Sequence, residues 1–128
     1  MNEKVIKVLN EQMWYLATYA EEANCVPVGF KCVTEDGKLM VGDVMMNITI
    51  KNVQANGKIA VSVCDPATSE AYQVKGTAEY FSEGPLVENL QKVAAEKFHG
   101  ALACKGALLI TPEKVIINTP GPDNGKEI

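Results

Sequence analysis

The spacing of apolar residues in the first quarter of the chain predicts one short helix followed by two strands. Asn2 can cap a helix whose apolar residues fall on one face, over about residues 3–12. Aromatic and small apolar residues fill Trp14–Tyr19, and apolar residues alternate with smaller or polar ones over Cys25–Val33. Both segments have the composition and period of β-strands.

A turn and a second helix are predicted next. Glu35–Lys38 contains the dipeptide Asp-Gly, a strong hairpin signal, between Cys25–Val33 and a strand over Leu39–Met46. Asn47–Asn56 then mixes apolar and polar residues and ends at Gly57. A glycine directly after such a segment is typical of a helix C-terminus, so we expect a short helix there.

The second half of the chain continues with strands and one more helix. Gly84-Pro85 is expected to end a long strand and to start a helix whose apolar face runs to Phe98. The predicted strands are Ile59–Val63, Ala71–Ser82, Ala107–Ile110 and Val115–Ile117, the last two flanking a turn at Thr111–Lys114, and a Pro/Gly-rich tail follows from Pro120.

Together these elements predict one fold class. About seven strands in short hairpins and two or three helices do not alternate in the way a doubly wound parallel sheet requires. We therefore expect a mainly β protein, an antiparallel barrel with peripheral helices, forming a single domain over residues 1–128.

Composition narrows the possible functions. With 128 residues, 47% of them hydrophobic, the chain can bury a real core, and disorder is disfavoured. A net charge of −4 without any run of basic residues argues against a duplex nucleic acid or an anionic membrane surface as partner. No segment resembles a signal peptide or a spanning helix, so we expect a cytoplasmic protein.

Neither the cysteines nor the single histidine point to a metal site or a nucleophile. The cysteines, Cys25, Cys32, Cys64 and Cys104, form no Cys-x-x-Cys pair, and we interpret them as reduced core or strand residues. His99 follows the end of a predicted helix, where a histidine is favoured by the helix dipole alone. We predict no catalytic side chain and no metal ligand.

One segment has the composition of an anion site. Asn47–Val53 brings Thr49, Lys51 and Asn52 to a predicted helix start, where free N–H groups and a partial positive charge could hold a phosphate. An ordinary capped surface helix would have much the same sequence, so both interpretations stay open from these residues.

The chain resembles the pyridoxamine 5′-phosphate oxidase-like FMN-binding split-barrel proteins over nearly its whole length. The resemblance follows the order of the elements above, including Pro27-Val28-Gly29-Phe30 and Ile59–Val63. Its most specific parts are Lys51-Asn52, which looks like the family's phosphate segment, and the strand Val74-Lys75-Gly76-Thr77-Ala78.

The resemblance implies FMN bound between two barrels of a homodimer. By that resemblance the phosphate would lie near Thr49, Lys51 and Asn52. The flavin ring would lie along two strand segments, and the implied contacts are Pro27, Val28, Gly29, Phe30, Lys31, Val44, Met45 and Met46. Each apolar residue among them could equally be ordinary core.

The sequence also departs from the true oxidase of that family. That enzyme binds its substrate through a C-terminal segment that contains arginine and histidine, whereas this chain has no arginine. It is more similar to the small flavin-binding and nitroreductase-like members. The resemblance implies an oxidoreductase that passes electrons or hydride through FMN to a small acceptor. The alternatives are a non-catalytic electron carrier or flavin store, and a barrel that has lost the cofactor and serves as an interaction protein.

Overall fold

Seven strands and three helices make up the computed structural model, which describes residues 1–128. The helices are α1 (Glu3–Glu11), α2 (Ile48–Asn56) and α3 (Pro85–Phe98). The strands are β1 (Trp14–Tyr19), β2 (Ala23–Val28), β3 (Lys31–Val33), β4 (Leu39–Asp43), β5 (Lys58–Cys64), β6 (Ala71–Phe81) and β7 (Gly106–Ile117).

All seven strands belong to one antiparallel sheet in the order β2-β1-β5-β6-β7-β4-β3. The sheet curls into a half-barrel, and alternate residues of β1, β5 and β6 face its interior. Trp14, Leu16 and Leu108 are fully buried there, and α1 and α2 add Leu9 and Val53 to the same core. The predicted antiparallel split barrel with peripheral helices is confirmed.

Helix α3 covers the other face of β4 and the start of β7. Val87, Leu90 and Ala94 of the helix form a separate small core with Met40 and Ala107. Because neighbouring residues of β4 face opposite cores, all of its residues are buried, although strand alternation alone predicts a half-exposed strand. Strand β4 is therefore held between the barrel interior and α3.

The predicted strand Cys25–Val33 is two strands, because the chain bends at Gly29 and Phe30. The Phe30 carbonyl accepts a hydrogen bond from the Gly42 N–H at 2.9 Å. The Phe30 ring lies against Gly42, where a Cβ atom would overlap it. The bend thus depends on a glycine in another strand, which local periodicity does not reveal.

Strand β7 is continuous, whereas two strands flanking a turn were predicted. Pro112 lies opposite Gly76, where the register between β6 and β7 shifts, so its missing N–H falls at a bulge. A Cβ atom at Gly76 would overlap the Thr111 carbonyl group. Proline is tolerated here because glycine in the partner strand lets the two backbones approach closely.

The cysteines are core or strand residues, as predicted, and Cys104 is the one that is buried, beneath α3. Cys25, Cys32 and Cys64 lie in strands but are exposed, because each occupies an outward position of the alternation. All four are free thiols.

The C-terminal segment, residues 118–128, folds back along β7. Its backbone exchanges three hydrogen bonds with the second half of that strand: Ile117 N–H to Lys126 O, Gly125 N–H to Ile117 O, and Ile128 N–H to Val115 O, at 2.7–2.9 Å. Since β4 pairs only with Gly106–Ile110, this segment covers the strand edge that β4 leaves open. None of the three helices has the length and apolar character needed to cross a bilayer.

Candidate functional site

A cavity of about 590 Å³ opens between the β2–β3 bend, the β4–α2 loop and the end of α3. Its walls are largely apolar, and its volume lies within the range of small-molecule sites. It is lined by Asn24, Val26, Pro27, Val28, Gly29, Phe30, Gly42, Val44, Met45, Met46, Asn47, Ile48, Thr49, Lys97, Phe98 and Leu102.

Most of the residues proposed from the sequence meet at this cavity. Those that line it are Pro27, Val28, Gly29, Phe30, Val44, Met45, Met46 and Thr49. The other three, Lys31, Lys51 and Asn52, do not line it. The cavity therefore brings the two strand segments together with the start of α2, but it does not include Lys31, Lys51 or Asn52.

The start of α2 faces the cavity with hydrogen-bond donors available. No side chain caps the helix, because Asn47 at the N-cap position forms no cap hydrogen bond. The Thr49 hydroxyl oxygen accepts from Asn24 Nδ2 at 2.9 Å, but the hydroxyl donates to no group in the structure. An anion at this helix start could therefore accept from both backbone and hydroxyl.

Asn52 has a supporting position behind this helix start. Its side chain is buried and donates to the Thr18 hydroxyl at 3.0 Å. Asn24 Nδ2 also approaches the Thr18 oxygen, at 3.3 Å, while bonding Thr49. This network holds α2 against β1 and β2 and so fixes where Thr49 lies.

The two predicted lysines differ in their surroundings. Lys51 is an exposed residue in the first turn of α2. The Lys31 ammonium donates to the Leu9 carbonyl at 2.7 Å and lies 5.0 Å from the Trp14 ring centroid, beside the end of α1. Burial, and after it the nearby Lys97 charge, lowers the pKa of Lys31 below its usual value.

Asp43 fixes the loop that carries Val44, Met45 and Met46. Its carboxylate is almost fully buried, and it accepts from the Met46 N–H at 2.9 Å and from the Tyr80 hydroxyl at 2.6 Å. Burial, followed by this hydrogen bond, raises the pKa of Tyr80. The bond to Met46 ends β4 at Asp43, which explains why the predicted strand to Met46 is too long.

Residues from the end of α3 form the wall that sequence reasoning missed. Lys97, Phe98 and Leu102 come from a segment far along the chain, where the sequence predicted only a helix with Phe98 on its apolar face. They line the cavity because α3 packs against β4 and the start of β7. Asn24 was missed too, since nothing local distinguishes it from a turn residue.

Acid–base groups are scarce around the cavity. Lys97 is the only titratable side chain that lines it. His99 lies at the C-terminal end of α3 in a left-handed conformation, and it is exposed and outside the lining. No three His, Cys, Asp or Glu side chains are grouped so that they could hold a metal ion. The site can bind and orient a flat molecule, but it offers few groups for proton transfer.

A half-barrel with a cleft between its bent edge strands and a helix start is the arrangement of the FMN-binding split-barrel class. The chain belongs to the pyridoxamine 5′-phosphate oxidase family, whose model matches residues 1–119.

Relatives of this chain are similar in sequence or in fold. An uncharacterised protein of Methanocaldococcus jannaschii is 29% identical over 132 residues, covering 100% of this chain and 87% of that protein. HupZ of Group A Streptococcus superposes with a TM-score of 0.83 at 23% identity, covering 98% of this chain and 99% of that one. An FMN-binding protein from Syntrophomonas wolfei gives a TM-score of 0.77 at 16% identity, covering 90% and 84%. The two solved structures support the fold assignment.

Proposed function

We propose that this protein binds FMN in the cavity and transfers electrons or hydride through the flavin to a small acceptor. The observation that carries the proposal is the cavity itself, which has apolar walls and an uncapped helix start at one end. A flavin mononucleotide has the matching parts, a flat ring system and a phosphate. Family membership and the FMN-binding relative support the same assignment.

The ring system would lie against the strand walls. Val28, Val44 and Met46 offer apolar surface, while the exposed backbone around Gly29 offers donors and acceptors for the polar edge of the ring. Phe30 closes one end of the wall because Gly42 leaves room for its ring. Ligand sites commonly combine such an apolar lining with a few placed polar groups.

The phosphate would lie at the start of α2. The uncapped N–H groups and the unused hydroxyl proton of Thr49 would donate to it, and the helix dipole favours a negative charge there. Lys51, in the same turn but outside the lining, would supply a charge from the exposed side. Asn52 would act by holding the helix through Thr18.

The protein's own contribution is binding and orientation. FMN would supply the capacity to accept and release electrons. No carboxylate, imidazole or thiol lines the cavity, so the residues present would serve to shape the site and orient the flavin. A function that requires no protein acid, base or nucleophile suits this lining.

We propose that a second copy of the chain covers the outer face of β1 and completes the site. Tyr15 and Tyr19 project from that face and are 48% and 62% exposed, and Met45 beside the cavity is 74% exposed. Exposed aromatic and methionine side chains are enriched in protein interfaces. We place this homodimer in the cytoplasm, where a reducing environment suits four free thiols.

The first experiment is an absorption spectrum of the purified protein, with any released flavin identified by chromatography. Affinities for FMN and for riboflavin, which lacks the phosphate, are then measured by flavin fluorescence. Lys51→Ala should weaken FMN binding about tenfold and leave riboflavin binding unchanged, because it removes one exposed charge near the phosphate. Lys58→Ala, an exposed lysine beyond the other end of α2, is the matched control.

A protein that binds neither flavin would refute the proposal. Equal effects of Lys51→Ala on FMN and riboflavin would refute the phosphate position only. Rapid reoxidation of the reduced protein by a small acceptor distinguishes an oxidoreductase from a carrier or flavin store, which would reoxidise slowly. Light scattering of the FMN-bound protein should give twice the monomer mass of 13.8 kDa, and a monomer mass would exclude the dimer.

A further inference from the structure

Lys97 stands apart from the rest of the cavity lining because it is the only charged side chain there. The one ion pair in the structure joins Lys126 and Asp123, so no carboxylate lies within 4 Å of the Lys97 ammonium. The chain has four more acidic than basic residues. A shortage of carboxylates in the chain therefore does not explain why Lys97 has no carboxylate partner.

Two aromatic rings hold the Lys97 ammonium at the cavity. Its Nζ atom lies 5.7 Å from the Phe30 ring centroid and 5.9 Å from the Phe98 ring centroid. The two rings meet edge to face, with centroids 5.5 Å apart and planes at 70°. Cation–π contact of this kind restricts the ammonium without neutralising it.

A second positive charge, the Lys31 ammonium, interacts with Lys97. Burial, and after it the Lys97 charge, lowers the pKa of Lys31, so the two ammonium groups repel each other. Neither group has a carboxylate partner. An anionic group bound at Lys97 would reduce this repulsion.

Lys97 and the proposed flavin phosphate site belong to different elements of the cavity lining. The phosphate is assigned to the start of α2, whereas Lys97, Phe98 and Leu102 lie on or beyond the end of α3. We propose that the end of α3 binds the molecule that exchanges electrons with the flavin, and that this molecule carries a flat apolar ring and an anionic group. Phe98 and Leu102 contact its ring, and Lys97 binds its anionic group. This inference rests on the proposed function for the identity of the neighbouring ligand.

The test compares two ligands with the same ring and different charge. 2-Naphthoate is anionic and 2-naphthamide is its neutral counterpart, and both are titrated into FMN-loaded and flavin-free protein by calorimetry. The wild type should bind 2-naphthoate more tightly than 2-naphthamide. Lys97→Gln should weaken 2-naphthoate binding by at least about tenfold and leave 2-naphthamide unchanged, whereas Lys97→Arg should retain most of the affinity.

Lys92→Gln is the matched control, since Lys92 is an exposed lysine of the same helix that does not line the cavity. It should leave the binding of both compounds unchanged. Failure of the wild type to bind 2-naphthoate, or equal binding by wild type and Lys97→Gln, overturns the proposal.

The flavin measurements separate this proposal from the flavin assignment. If Lys97→Gln weakens FMN binding and spares riboflavin, the anion held by Lys97 is the FMN phosphate, and the second-ligand site is overturned. If the protein binds no flavin but Lys97→Gln still loses 2-naphthoate selectively, the flavin assignment fails and the anion site stands.

Discussion

Replacing Asp43 tests whether one buried carboxylate sets the shape of the cavity. The side chain is 1% exposed and accepts hydrogen bonds from the Met46 N–H and the Tyr80 hydroxyl. A hydrogen bond to a charged group contributes about 1.5–3 kcal/mol to stability. Asp43→Ala removes both bonds and should lower the free energy of unfolding by about 3–6 kcal/mol. Asp43→Asn can retain one acceptor and should lose about half as much.

The two hydrogen bonds have different consequences for binding. The bond to Met46 holds the loop that lines the cavity, whereas the bond to Tyr80 ties Asp43 to β6 behind it. Asp43→Ala should therefore weaken FMN binding tenfold or more, while Tyr80→Phe should lower stability and leave FMN affinity nearly unchanged.

The assay combines urea unfolding with flavin titration at a temperature where every variant is folded. Circular dichroism gives the free energy of unfolding, and fluorescence gives the FMN affinity. The reasoning is refuted if folded Asp43→Ala binds FMN as well as the wild type. It is also refuted if Tyr80→Phe weakens FMN binding as much as Asp43→Ala does, because the loop would then not be the determinant.

Two further substitutions test packing and ionisation. Gly42→Ala should lower the free energy of unfolding in urea by about 1–3 kcal/mol, because the new methyl group overlaps the Phe30 ring. Gly29→Ala is the control and should cost little, since nothing lies within 4 Å of the added atom. Equal losses in the two variants would contradict the explanation. Burial and the bond to Glu70 raise the pKa of Tyr72 to about 12, so the folded state keeps a proton that the unfolded chain releases near pH 10. Stability should therefore fall as pH rises from 10 to 12, and Tyr72→Phe should show a shallower fall in the same unfolding assay; parallel curves would exclude this cause.

Local patterns predicted the elements whose shape depends only on neighbouring residues. Trp14–Tyr19 is a strand with the predicted bounds, and the hairpin at Asp36-Gly37 joins β3 to β4. In both, the period of apolar residues or the conformational preference of Asp-Gly determines the structure.

Elements that depend on distant partners were not predictable. The bend at Phe30 requires Gly42 in another strand, and the continuity of β7 through Pro112 requires Gly76 opposite. A single sequence gives no register between strands, so neither contact could be foreseen.

The candidate site also contains residues that the sequence could indicate and residues that depend on distant packing. Its strand and helix-start residues, such as Val28, Val44 and Thr49, lie in segments that the family resemblance indicated. Lys97 and Asn24 reach the cavity only because α3 and β2 pack where they do. The role of Asp43 was hidden because its partners are a loop amide and a tyrosine on β6.

The folded-back segment after β7 has a consequence for solubility. Without residues 120–128, the amide of Ile117 and the carbonyl of Val115 would lose their backbone partners at a strand edge. Open strand edges are templates on which other chains can add, and such addition leads to aggregation. The segment therefore protects the edge of β7 from pairing with another chain. Chains that lack it should aggregate while they are still folded.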